Sequence, residues 1–174
     1  MKRNQITIRA VQDISFTIKR GSIVGFIGSN GAGKSTTIKM LTGTLYPSSG
    51  KLEVNGEIPF KRSINFRKKI SIVVGNKLQL FQDVSAMDYF QLIGTLYEVE
   101  PAILQERIQE LSNLLNVKDQ LYQQVRTLSL GQKMKMEFIA ASLTSPEILF
   151  LDEPTIGLDL SLIHISEPTR LGMI

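Results

Sequence analysis

Residues 28–36 read GSNGAGKST and lie between the apolar run Ile23-Val24-Gly25-Phe26-Ile27 and a stretch with helical spacing. Backbone N–H groups can cradle a triphosphate only where side chains do not block its approach. Gly28, Gly31 and Gly33 therefore predict a thin loop between a strand and a helix. At that helix start the unpaired amides and the positive end of the helix dipole both favour an anion. Ser29, Asn30, Ala32 and Thr36 complete the phosphate-binding stretch. Within such a loop Lys34 is placed for the β- and γ-phosphates and the Ser35 hydroxyl for Mg²⁺. The pattern predicts a nucleoside triphosphate site.

Moving outward, Ile14, Phe16 and Ile18 alternate with polar residues and end at Arg20-Gly21, the pattern of a half-buried strand and a turn. Residues 23–27 are apolar on both faces and suit the centre of a parallel sheet. Ile38, Leu41 and Leu45 recur at helical spacing, which predicts a helix running to the stop at Pro47-Ser48-Ser49-Gly50. Leu52 and Val54 alternate up to Asn55-Gly56, a hairpin signal. Residues 70–74 predict a buried strand. Residues 85–98 and 101–116 then predict two helices, the first capped by Ser85 with Asp88. A third helix is expected over 129–143 and a last buried strand over 148–151. The order is an α/β core, a mostly helical lobe, and the core again.

Composition fits one soluble globular core: the chain has 174 residues, 43% of them hydrophobic and 21% charged, which excludes a disordered chain. No window approaches the ~18 consecutive apolar residues of a membrane span, and Met1-Lys2-Arg3 leads into polar sequence rather than a signal peptide. A cytoplasmic protein without its own anchor is expected. Zero cysteines exclude a disulfide framework and thiolate metal sites. The net charge of +4 is concentrated at Lys61, Arg62, Arg67, Lys68 and Lys69, which reads as a solvated basic surface, and no nucleic-acid partner is expected.

The strand over 148–151 delivers Asp152 and Glu153 to its carboxyl end, where ligands of open parallel sheets bind. Asp152 is suited to hold Mg²⁺, directly or through water, and Glu153 to polarise a water for attack on a γ-phosphate. Leu128-Ser129-Leu130-Gly131-Gln132 opens a helix, with Ser129 as its cap and Gly131 leaving amides open.

Taken in order, these motifs resemble those of the ATP-binding cassette (ABC) family, the P-loop NTPase domains of ABC transporters, over residues 11–159. GSNGAGKST resembles Walker A, LSLGQ the signature motif, ILFLDEP Walker B, and Gly157-Leu158-Asp159 the D-loop. LSLGQ, VVGNKLQL and LDEPTIGLD are similar to the ATP-binding subunits of ABC-2-type exporters. The resemblance implies an ABC-type ATPase core with a parallel sheet, an N-terminal antiparallel β portion and a helical lobe. It places core at 1–80 and 144–159 and the lobe at about 81–143, within one domain over 1–159. It also implies ATP and Mg²⁺, and a head-to-tail dimer in which Ser129, Gly131 and Gln132 of one subunit face the nucleotide held by Lys34 of the other. Asp159 joins the same set. A membrane permease subunit is the implied partner, and the inner face of the membrane the implied location. A soluble ABC ATPase of translation or DNA repair, or a non-catalytic ATP-binding fragment, would use the same motifs.

Three departures stand out. Asn76 occupies the place of the Q-loop glutamine, a Mg²⁺ position, with Gln79 the nearest substitute. No aromatic residue precedes Phe16 to stack on adenine, which leaves apolar residues such as Ile6 or Val11. The only histidine, His164, stands too close to Asp159 to be the family's switch histidine. Residues 160–170, LSLIHISEPTR, match the in-frame translation of a transposase sequencing adaptor. A non-native tail over 160–174 and a fold incomplete at its C-terminus are therefore expected, and with them weak turnover. Amplification of the source gene across Asp159 checks this. The expected product diverges from the adaptor after Asp159 and encodes further strands and a switch histidine.

Overall fold

The computed structural model describes residues 9–75 and 77–153. They form two compact units that divide after Arg62. The expectations for Ile6, Asn76, Asp159, His164 and the tail lie outside the described residues.

In the first unit, helix α1 (Lys34–Leu41) begins directly after the glycine loop, as its sequence predicts. It ends earlier than the spacing of Leu45 suggested. Thr42 is the C-cap and Gly43 follows at φ 72°. The N–H of Thr44 donates to Lys39 O at 2.8 Å and that of Gly43 to Met40 O at 3.0 Å. This pair of bonds is a Schellman turn, which satisfies the last carbonyls and diverts the chain. Leu45 thus falls outside the helix and is exposed.

Further on, Val54 and Glu57 exchange both backbone hydrogen bonds, at 2.8 and 3.0 Å. Asn55 and Gly56 between them have φ of 56° and 75°, the two positive values a tight hairpin turn needs. The hairpin signal is therefore realised as a single bridge rather than a longer strand.

Residues 14–18 and 23–27, expected as strands, carry no ladder. They fold back around a turn in which Ser22 N donates to Lys19 O at 3.2 Å, and the Phe16 and Phe26 rings meet edge to face at 5.4 Å. Ile23 and Ile27 are 71% and 99% exposed. A strand apolar on both faces needs partners at both edges and a layer over each face. Among the described residues of this unit nothing supplies them.

The second unit opens with α2 (Ile64–Lys69), capped by Ser63, whose Oγ accepts from Phe66 N at 2.9 Å. β1 (Ile70–Val74) pairs in parallel with β2 (Ile148–Asp152), Ile70 opposite Ile148 and Val74 opposite Asp152. Both were legible as apolar runs. Between them lie α3 (Ala86–Leu96), α4 (Pro101–Leu114) and α5 (Leu130–Ser142). Ser85 with Asp88, and Ser129 with Gln132, close the reciprocal capping boxes of α3 and α5. Phe90, Ile108, Leu115, Met136 and Ile139 form the centre of this unit's core. Gly94 admits α4, because a Cβ there would stand 2.2 Å from Leu104 Cδ2. Arg107 Nη1 donates to Leu143 O at 2.6 Å and ties α4 to the end of α5. Of the basic run, Lys68 pairs with Glu98 at 3.1 Å and Lys69 with Glu147 at 3.8 Å. Surface pairs of this kind contribute at most about 1 kcal/mol.

A Cβ at Gly43 would lie 2.2 Å from Pro59 O, in addition to the cost of its left-handed backbone. Gly43→Ala should therefore destabilise the chain by about 2–3 kcal/mol, which urea denaturation will measure as a lowered midpoint at unchanged slope.

Candidate functional site

Loop 28–33 owes its shape to backbone demands. Gly31 and Gly33 sit at φ 82° and 87°, values that side-chain-bearing residues rarely adopt. Gly33 has a second reason: a Cβ would stand 2.4 Å from Ala10 O and 2.9 Å from Val11 Cγ2. Gly31 faces open space, so its requirement is conformational alone. Gly28 is the least constrained, with a Cβ meeting only Ala32 Cβ at 3.3 Å. The loop is closed by Ala32 N donating to Ser29 O at 3.2 Å, with Asn30 at its turn.

Gly33 is the N-cap of α1 and no side chain caps this helix. A helix start without a side-chain cap is the kind of place where anions bind. Lys34 Nζ donates to Gly28 O at 2.6 Å and Ser29 O at 2.8 Å, so the cation is folded over the loop it would serve. Ser35 and Thr36 stand half-buried in the first turn. Thr37 Oγ1 donates to Gly33 O at 3.0 Å, anchoring that turn from its buried side.

The acids stand at the carboxyl end of the second unit's parallel pair. Asp152 is the last residue of β2, one further than the apolar run suggested. Gly75 N donates to Asp152 O at 2.9 Å, extending the pairing past Val74. A Cβ at Gly75 would be 2.0 Å from Glu153 O, so the two backbones meet without room for a side chain. Glu153 is exposed and takes φ 52°, which turns the chain immediately after the strand.

At the start of α5, Ser129 Oγ accepts from Gln132 N at 3.3 Å and Ser129 N donates to Gln132 Oε1 at 2.8 Å. Ser129 keeps its hydroxyl proton for a further acceptor, and Gly131 is half-buried in the first turn. Asn76 and Asp159 lie outside the described residues. Gln79, the alternative to Asn76, directs its Nε2 to Ile72 O at 3.0 Å and so turns back onto β1. Among the described residues no three His, Cys, Asp or Glu side chains gather into a metal cage. Mg²⁺ at a phosphate site needs no such cage, since one or two protein oxygens with phosphates and waters suffice. The donor chemistry of Ser35 and Asp152, both hard oxygens, fits that requirement.

Sequence reasoning missed Glu137. It is 5% exposed on α5, and its Oε1 accepts from the backbone N–H of Gln79 and, at 2.8 Å, of Leu80. Burial pushes its carboxyl above the usual range, partly offset by the N–H groups of Leu80 and Gln79. Nearby, burial raises the Tyr89 phenol, with smaller contributions from Glu137 and Tyr97. These groups line a cavity of about 80 Å³ together with Ser71 and Ile72. The only sequence signal was a carboxylate set among Met134, Met136 and Ile139.

A glycine loop opening a helix, in an α/β protein with acids at a parallel strand end, defines a P-loop nucleotide-binding protein. Comparison narrows the class. The family profile described as ABC transporter matches residues 11–156. The ABC transporter ATP-binding protein NatA of Bacillus subtilis is 33% identical over 158 residues, which are 91% of this chain and 64% of that protein. The daunorubicin resistance ATP-binding protein DrrA3 of Streptomyces coeruleorubidus is 31% identical over 87% of this chain and 48% of its own length. The solved structure of CbiO1 from Clostridium perfringens, described as part of the ABC transporter complex CbiONQ, superposes with a TM-score of 0.74. It is 28% identical and the match covers 90% of this chain and 63% of that one. The chain belongs to the ABC transporter family, and it spans about half to two thirds of the length of these relatives.

Because the Glu137 carboxyl is raised on folding, the folded chain holds its proton more tightly than the unfolded chain. Its stabilising contribution is complete below the ordinary value of 4.5 and is lost as pH rises through the raised value. Glu137→Gln removes that titration. The stability of wild type relative to the variant should therefore fall with rising pH, as denaturation between about pH 4 and 8 will show.

Proposed function

We propose that the chain is the ATP-binding and hydrolysing part of an ABC exporter. The observation that carries this is the glycine loop over 28–33, which leaves the N-terminus of α1 without a side-chain cap and folds Lys34 over itself. Family membership and exporter relatives support it. DrrA3 is named for daunorubicin resistance, and another relative, from Cupriavidus pinatubonensis, for Nod factor export.

In this reading residues 1–159 make one ABC ATPase domain, with core at 1–80 and 144–159 and a helical lobe at about 81–143. The amides of residues 28–36 hold the phosphates, while Lys34 exchanges its bonds to Gly28 and Ser29 for phosphate oxygens. Ser35 and Asp152 would hold Mg²⁺, which neutralises charge on the phosphates; Asn76 is the further candidate. Glu153 orients and deprotonates the attacking water. Phosphoryl transfer asks little covalent chemistry of a protein, so charge neutralisation and in-line positioning supply most of the rate. Ser129, Gly131, Gln132 and Asp159 face the nucleotide of a second subunit in a head-to-tail dimer. Closure of that dimer on ATP and its release after hydrolysis would drive a membrane permease. The chain then sits at the inner face of the membrane through its permease. No helix among the described residues is long and apolar enough to cross a membrane.

Lys34→Ala should weaken MgATP binding about 10- to 100-fold, the value of a charge-assisted hydrogen-bond pair. Glu153→Gln should leave the Kd within about threefold and lower kcat of the full-length gene product by about 10²- to 10⁴-fold. Calorimetry and phosphate-release assays measure the two effects. Wild-type chain that binds no MgATP would overturn this reading.

A further inference from the structure

Glu137 belongs to none of the nucleotide motifs, yet it is the most deeply buried carboxylate among the described residues. Its two partners are consecutive backbone amides of the segment that leaves β1. That segment is pinned at its other end to the acids: Gly75 N donates to Asp152 O, and Gly75 lies in backbone contact with Glu153. Between these ends Lys77 N donates to Val74 O at 3.1 Å and Gln79 Nε2 to Ile72 O at 3.0 Å. Residues 75 and 77–80 thus form a short strap, fixed to the end of β2 on one side and to α5 on the other.

An apolar side chain at position 137 would fill the space on α5, so packing alone does not call for a carboxylate there. Two adjacent N–H groups, that of Leu80 being buried, need an acceptor that reaches both. Among the described residues of the strap no side chain supplies one, and a single carboxylate oxygen on the neighbouring helix does.

We infer that Glu137 is a positioning residue, whose Oε1 clamps the strap of residues 75 and 77–80 to α5 and thereby fixes the backbone of Asp152 and Glu153. Its role in hydrolysis rests on the function proposed above, while the clamp itself does not. The acceptor carries the role, so glutamine replaces glutamate and leucine does not.

The test compares wild type, Glu137→Gln and Glu137→Leu by amide hydrogen exchange on this chain and by steady-state hydrolysis on the full-length gene product. Leucine should speed exchange at Gln79 and Leu80 by about 100-fold or more, with the amides of α3 and α4 unchanged, and glutamine should stay near wild type. The same leucine variant should lower kcat about 10-fold with KM within about twofold, and glutamine should restore it. Unchanged exchange at Leu80 in a folded leucine variant would overturn the clamp. A glutamine variant as impaired as the leucine one would overturn the acceptor argument. Equal losses in kcat and in α3–α4 protection would reduce Glu137 to global stability and overturn the positioning role. If wild type neither binds nor hydrolyses ATP, the proposed function fails, and the Leu80 amide still decides the clamp.

Discussion

The parallel pairing of β1 with β2 is the constraint on which the second unit depends. Parallel strands cannot be joined by a tight turn, so the chain between Val74 and Ile148 must leave the sheet and return. Here it does so through α3, α4 and α5, which build their own core around Phe90, Ile108 and Ile139. The register then decides the chemistry. With Val74 opposite Asp152, the first residue beyond β1 meets the backbone of the first residue beyond β2, and only glycine fits at that meeting. A slip of one residue would turn every side chain of β2 to the other face and carry Asp152 away from the strand end.

Helices and their starts were the most legible features, because a cap is a local transaction. Ser85 with Asp88, and Ser129 as the cap of α5, settle their hydrogen bonds within four residues, so sequence spacing suffices to find them; the reciprocal bond from Gln132 was added by the structure. The end of α1 was misjudged for the same kind of local reason: Gly43 sits at the αL position of a Schellman turn, and that signal outranks the spacing of Leu45. The strands expected over 70–74 and 148–151 form, the second one residue longer, whereas 14–18 and 23–27 carry no ladder. Periodicity records which faces a strand would bury, and the ladder depends on partners that periodicity does not contain. The shape of the glycine loop over 28–33 was legible, since Gly31 and Gly33 answer to backbone angle and Gly33 also to close approach. Glu137 was not, because its partners are backbone amides 57 and 58 residues away that have no side-chain signature.

The charges divide by their surroundings along the same line. Lys34 lies over carbonyl oxygens in a half-exposed loop, where its cation is held by two neutral acceptors. The basic residues at 67–69 end α2 and complement its dipole from the surface, a contribution that salt screens. Glu137 is the opposite case, buried and met by N–H donors rather than a cation. Its burial is costly and its bonds are oriented, a combination that fixes geometry more than it adds stability.

Backbone geometry therefore sets the limits within which the side chains act. At Gly33 the left-handed turn and the approach of Ala10 O exclude any Cβ, and Gly33 as N-cap leaves α1 without a side-chain cap. At Gly75 the approach of Glu153 O excludes a Cβ and keeps the two strand ends in register. In both places the missing Cβ is what lets the backbone close, at the start of α1 in the first unit and at the paired strand ends in the second. A substitution at either glycine would thus act through the main chain, on the start of α1 at Gly33 and on the end of β2 at Gly75.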